Sequence, residues 1–285
     1  MKNLFTKTGL MLLMAAVTFF TSCGGGEKEE QPSVNILYPN WAEGIAMTYL
    51  AQEALQEKGF KVDLTSLEPG LIYGELSKKN SKGDVCLDAW LPNTHKDYWK
   101  QYGAKIEKVG TAFDNGTTGL VVPAYVDINS IEELNAHKDE FKGKIIGIGS
   151  GAGIHAKTLQ AIKDYELDFE QITSSGPAMV ASLEKAYKKN EPIIITGWKP
   201  HFKWAQFDLK YLEDPKGIYE KDEVVIIARR GFKEEKPVAA TFFANFKLEE
   251  AKLYELMGKV TELGEVAGAK AFYSENKAMV DGWFN

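Results

Sequence analysis

The chain has 285 residues, 44% hydrophobic and 26% charged, which is ordinary globular composition with length for one large or two modest domains. A formal net charge of −6, with no basic tract, argues against nucleic acid as a partner.

Met1 to Lys7 carries two lysines and no acid, and Leu10 to Phe20 is an apolar run. That run suits a signal h-region and is too short for a stable spanning helix, so residues 1–22 read as a signal peptide. Phe20-Thr21-Ser22-Cys23 resembles the lipobox of bacterial lipoproteins, in which Cys23 becomes the lipidated first residue. Loss of Lys2 and Lys7 leaves the remainder two charges more negative. Residues 23–33, with the run GGGEKEEQPS, then read as a lipid-anchored flexible tether. A plain signal peptide with a chance cysteine is the alternative. Cys86 is the other cysteine, and a lipidated Cys23 leaves it without an intrachain partner. Its apolar run, Asp84 to Leu87, predicts a small buried hydrophobe.

Val34 to Tyr38 predicts a strand. Ala42 to Lys58 has apolar residues at 46, 47, 50, 51, 54 and 55, one face of a helix that Gly59 stops. Phe60 to Leu67 predicts a second strand. Asp84 to Leu87, Lys144 to Ile148, Gln171 to Thr173 and Pro192 to Thr196 repeat the pattern, with helical stretches between. Strands alternating with helices imply an α/β fold of parallel sheets covered by helices.

Ligands of such folds bind beyond the carboxyl ends of the strands. Trp41, Trp90 and Trp198 each follow a predicted strand, and the glycine loop Gly149 to Ile154 follows another. Singly, each tryptophan is better explained by packing; together they outline a site. Trp99 and Trp204 read as packing residues, and Trp283 as a docking residue of the last helix. Tryptophan faces attract cations, each desolvated contact being worth about 0.5–2 kcal/mol. A quaternary ammonium suits them best, because it offers no N–H to a hydrogen-bond acceptor. A micromolar ligand needs about 8 kcal/mol, so a second anchor is required. The start of the helix after the glycine loop, with the N–H groups of Gly153 and Ile154, suits a carboxylate. His95 is a candidate second donor.

Other readings of the same residues exist. Gly147-x-Gly149-x-x-Ala152 fits a relaxed dinucleotide fingerprint, which requires an acid at the end of the next strand. Glu170 lies near that distance but ahead of the strand. Of four histidines, His137 and His155 read as solvated. His201 either shapes the site from behind or is structural. No HExxH, GxSxG or paired metal-ligand spacing occurs. The alternatives to a solute binder are therefore a nucleotide-binding α/β enzyme and a lipid-anchored adhesin or scaffold.

NWAEGIA (Asn40 to Ala46), DAWLPNTHKDYW (Asp88 to Trp99), GLVVPAYV (Gly119 to Val126), the loop GSGAGI, IITGWKPH (Ile194 to His201) and YLEDPKGIY (Tyr211 to Tyr219) occur in the order found in one family. By these motifs the chain resembles the substrate-binding proteins of glycine betaine/choline-type ABC transporters. The resemblance implies a type II periplasmic-binding-protein fold: two α/β lobes of mainly parallel sheet, joined by two crossing strands. The expected division is 34–118 with 227–285 for lobe 1 and 119–226 for lobe 2, with crossings at Gly119 to Pro123 and Glu223 to Arg229. It also implies that Trp41, Trp90 and Trp198 box a trimethylammonium group, while His95 and the N–H groups of Gly153 and Ile154 hold a carboxylate. Phe202 stands where the family commonly has tryptophan. No enzymatic activity, cofactor or metal is implied. The implied partners are a small zwitterionic ligand and a membrane permease, for an extracytoplasmic monomer tethered through Cys23.

Overall fold

The computed structural model describes residues 31–285. The predicted signal peptide and Cys23 lie outside the described residues. In chain order the elements are β1 (Ser33–Tyr38), α1 (Ala42–Glu57), β2 (Lys61–Ser66), α2 (Pro69–Leu76), β3 (Val85–Leu91) and α3 (Lys96–Tyr102). The long strand β4 (Ile106–Pro123) follows, then β5 (Lys144–Ile146), α4 (Gly153–Asp164), β6 (Glu170–Ile172), α5 (Gly176–Lys188), β7 (Ile195–Lys199), α6 (Lys203–Gln206) and β8 (Leu209–Tyr211). The chain ends with β9 (Asp222–Arg229) and the helices α7 (Phe232–Glu235), α8 (Pro237–Asn245), α9 (Glu250–Leu263), α10 (Glu265–Glu275) and α11 (Lys277–Gly282).

Helix α1 forms as its apolar spacing dictates. Ala46, Met47, Leu50, Ala51, Ala54 and Leu55 are all fully buried, and Gly59 ends the helix at φ 84°, where a side chain would be strained.

The strands run in the order β2-β1-β3-β9-β4-β7-β5-β6, with β8 also on β4. β1 pairs in parallel with β2 and β3, and β5 with β6 and β7. The centre is antiparallel. β4 pairs with β9 from Ile106 to Gly116, then with β7 from Thr117 to Val121 and with β8 up to Pro123. One continuous strand therefore joins two strand groups. The return strand, β9, pairs with β3 and with the first part of β4 along its whole length.

Alternation along the central strands sends side chains to different cores. In β9, Val224, Ile226 and Ala228 enter the core under α1 and α8 to α10, while Val225 and Ile227 face a second core with Ile72, Tyr73 and Leu76 of α2. In β4, Leu120 and Val122 join a third core around Ile145, Ala161 and Ile194. Trp283 packs at 4.6 Å on Phe246, so the last helix docks there as its sequence suggested. Cys86 is a buried free thiol, pushed well above its usual pKa by burial. It is inert packing, as its apolar neighbours imply.

Candidate functional site

Strand β3 does not stop at Leu87. Ala89, Trp90 and Leu91 pair with Val225, Val224 and Glu223, so Trp90 lies within the strand rather than beyond it. The register against β9 shifts between Cys86 and Ala89. Val85 and Leu87 share one core face with Trp90, whereas Cys86, Ala89 and Leu91 face the other. Strict alternation would put residue 90 opposite residues 85 and 87; the bulge re-aims the indole. Trp198 likewise lies inside β7, opposite Thr118 of β4. Both extensions come from antiparallel partners far along the chain, which local apolar runs do not reveal. Trp41 precedes α1 in extended conformation (φ −117°, ψ 151°).

These three indoles meet in one pocket, walled also by Glu43, Thr94, His95, Thr118, Ile148, Ala152, Gly153 and Ile154. The structure thus brings together all six residues expected from sequence. His201 stands outside, its ring edge-on to Trp198 at 4.8 Å and its Nδ1 accepting from the Lys203 N–H at 3.1 Å. Phe202 lies against His201 at 4.5 Å, away from the pocket wall. Trp99 is half-buried under Lys108, and Trp204 donates from its indole to the Trp198 carbonyl at 2.8 Å.

Two carboxyl groups hold the cage, and sequence reading missed both. Trp90 Nε1 donates to Asp88 Oδ1 at 2.8 Å, and Trp198 Nε1 donates to Glu43 Oε2 at 2.9 Å. An acceptor on the indole N–H polarises the ring and enriches its face in electrons. Both acids are buried. Burial pushes Glu43 up to about 7 and, helped by the Glu43 charge, Asp88 well above the carboxylate range. Lys203 is fully buried beneath Trp198, its Nζ 4.1 Å from a ring centroid, and burial lowers its pKa well below normal. The signal for Asp88 was a charge inside an apolar strand. Glu43 offered none, since an acid in the first turn of a helix is commonplace.

His95 is 1% exposed. Its Nδ1 accepts from the Trp90 backbone N–H at 3.1 Å, which assigns the ring proton to Nε2. Burial lowers its pKa to about 3, so the imidazole is neutral at physiological pH. Nε2 is buried and has no protein partner. The ring is therefore a neutral N–H donor on the pocket wall. Its loop is pinned from β9: Asp222 accepts from the Asn93 N–H at 2.6 Å and from the Thr94 N–H at 3.0 Å.

The glycine loop supplies the opposite wall. Ala152 begins α4 without a side-chain cap and the first turn holds no acid, so the N–H groups of Gly153 and Ile154 have no partner within the helix. The glycines also let the two strand groups approach. A Cβ on Gly153 would lie 2.1 Å from the Thr94 carbonyl oxygen, and one on Gly151 2.9 Å from Glu68 Oε2. Tyr98 donates to the Gly151 carbonyl at 2.9 Å across the same boundary. Glu170 opens β6 rather than ending it, which removes the acid that a dinucleotide site requires.

Two α/β lobes sharing antiparallel central strands, with an aromatic pocket at their junction, define a type II solute-binding protein. Residues 32–275 match the family described as the substrate binding domain of the ABC-type glycine betaine transport system, and the chain belongs to that family. It is 32% identical to lactococcal OpuAC, solved closed with glycine betaine, over 89% of this chain and 100% of that one, with a TM-score of 0.84. The glycine betaine/L-proline-binding protein ProX of Borrelia burgdorferi gives 32% identity and a TM-score of 0.84, covering 88% of this chain and 96% of that one. The glycine betaine/carnitine transport binding protein GbuC of Listeria monocytogenes is 41% identical over 144 residues. That match spans 49% of this chain and 48% of the curated relative, so about half of each.

Proposed function

We propose that the chain captures glycine betaine, or a closely related quaternary-ammonium carboxylate, outside the cytoplasm and delivers it to an ABC permease. In this reading Trp41, Trp90 and Trp198 enclose the methylated nitrogen. The Nε2–H of His95 and the N–H groups of Gly153 and Ile154 take the carboxylate. Catalysis has no part in it; release follows docking on the permease. Cys23 carries the lipid anchor.

The observation that carries the reading is the company kept inside one pocket: three indoles, a buried histidine nitrogen with no partner, and an uncapped helix start. Lobe 1 would comprise 34–118 with the C-terminal segment, and lobe 2 the residues between. The change of partner in β4 after Gly116 supports the first boundary. The pairing of β9 from Asp222 onward favours moving the second from 226/227 to the start of that strand.

Titration calorimetry of the purified chain with glycine betaine, carnitine, choline and NAD tests this. Saturable binding of the carboxylated quaternary amines is expected, with choline weaker. Binding of NAD alone, or of none of the four, would overturn it.

A further inference from the structure

Three side-chain polar atoms in the pocket wall are buried without a protein partner: Glu43 Oε1, His95 Nε2 and Thr118 Oγ1. The proposed function uses His95, and Glu43 already holds Trp198. Thr118 has no role so far. It is 8% exposed and lies on β4 just after that strand changes partners.

Its direction follows from its neighbours. Thr117 meets the Tyr211 hydroxyl at 3.1 Å, and a Cβ on Gly119 would strike the Tyr211 ring. Both flanking residues thus turn toward β8. Thr118 turns the other way, on the face it shares with its cross-strand partner Trp198. A buried hydroxyl without a hydrogen bond is costly, and valine would fill the same volume without that cost.

A carboxylate has two oxygens with about four lone-pair sites. The His95 Nε2–H and the N–H groups of Gly153 and Ile154 fill three. We propose that the Thr118 hydroxyl is the fourth donor, and that it makes the site select quaternary amines bearing a carboxylate over bare cations. This rests on the ligand reading given above. The hydroxyl beside Trp198 lines the same pocket as His95, Gly153 and Ile154, so an oxygen one methylene from the caged nitrogen lies on the side that these donors share. The hydroxyl also satisfies itself in the act, so the bond forms only in the complex.

The test compares wild type, Thr118→Val and Thr118→Ser by calorimetry with glycine betaine and with tetramethylammonium, which fits the cage but has no oxygen. Thr118→Val should weaken glycine betaine about tenfold or more, the size of a hydrogen bond to a charged group. Thr118→Ser should stay within about threefold of wild type, because the donor is kept. Tetramethylammonium should change by less than about twofold in either variant, because its cation–π contacts are untouched. Glycine betaine affinity unchanged in Thr118→Val would overturn the proposal and leave the ligand reading intact. Equal losses for both cations would also overturn it, by showing a deformed cage. A wild-type chain that binds glycine betaine at no concentration overturns the ligand reading and this proposal together.

Discussion

The indole N–H of Trp198 donates to Glu43 Oε2 at 2.9 Å, a buried hydrogen bond between residues 155 positions apart. Glu43 stands in the first turn of α1, beside the strand group of β1, β2 and β3; Trp198 belongs to β7 in the other group. The bond therefore fixes one wall of the pocket against the element that presents another, Trp41. Its acceptor is a carboxyl pushed up to about 7 by burial, against the opposing pull of the Trp198 hydrogen bond and the Lys203 charge.

Two pH effects of opposite sign follow from Glu43. A cation bound beside it favours the ionised form, so binding should release protons, and affinity for a quaternary amine should fall as pH drops below about 7. Ligand-free stability runs the other way. The folded value lies above the ordinary 4.5, so the contribution is full below 4.5 and is lost as pH rises through about 7. Asp88, pushed up by burial and by Glu43, acts in the same direction. Glu43→Gln should flatten both dependences. Calorimetry in two buffers of different ionisation heat, together with melting curves across that window, checks this; an unchanged pH slope in the variant would remove Glu43 from the account.

Trp90 is the cage residue re-aimed by the bulge of β3, and it is 2% exposed. Trp90→Ala should weaken glycine betaine by about 1 kcal/mol or more, the worth of one desolvated cation–π contact. The void left in a buried wall should also lower the melting temperature. Equal affinities for wild type and variant by calorimetry would reject the cage role.

What could be read from the sequence divides along a physical line. Helix α1, its stop at Gly59 and the parallel strands β1 and β2 follow from local apolar spacing, and appear within a residue or two of expectation. The site residues were legible because aromatic residues and glycines clustered at predicted strand ends, and because the motifs resemble one family. The full length of β4, the bulge before Trp90 and the inward turn of Thr118 are set by pairing across the chain, as with Trp90 against Val224. A single sequence shows no such pairing. Glu43 and Asp88 stayed hidden for a related reason: their meaning lies in the indoles they face, and for Glu43 that indole is more than a hundred residues away.

His95 should discriminate between ligands rather than hold them all. Its burial keeps the ring neutral down to about 3, so across neutral pH it donates one N–H and carries no charge. Its depressed folded value costs stability as pH falls below 6.5, opposite in sign to Glu43 over the range from 4.5 to 6.5 that the two share. His95→Ala should weaken glycine betaine about tenfold or more and choline much less, since the hydrogen bond lost is one to a carboxylate. If both ligands lost equally in parallel titrations, the donor role would be wrong.

Gly153 carries a constraint that owes nothing to the chemistry of the ligand. The Thr94 oxygen that a Cβ would meet at 2.1 Å belongs to the backbone, and Asp222 holds that loop through the N–H groups of Asn93 and Thr94. Neither side can give way cheaply. Gly153→Ala should therefore hold the two walls of the pocket apart and weaken betaine and choline alike, by about tenfold or more if the pocket forms only when they meet. Each lobe should stay folded, because the clash lies between them. Calorimetry with both ligands, beside small-angle scattering of the ligand-saturated wild type and variant, measures it. A variant that binds both ligands as wild type does, at the same radius of gyration, would show that this contact does not limit closure.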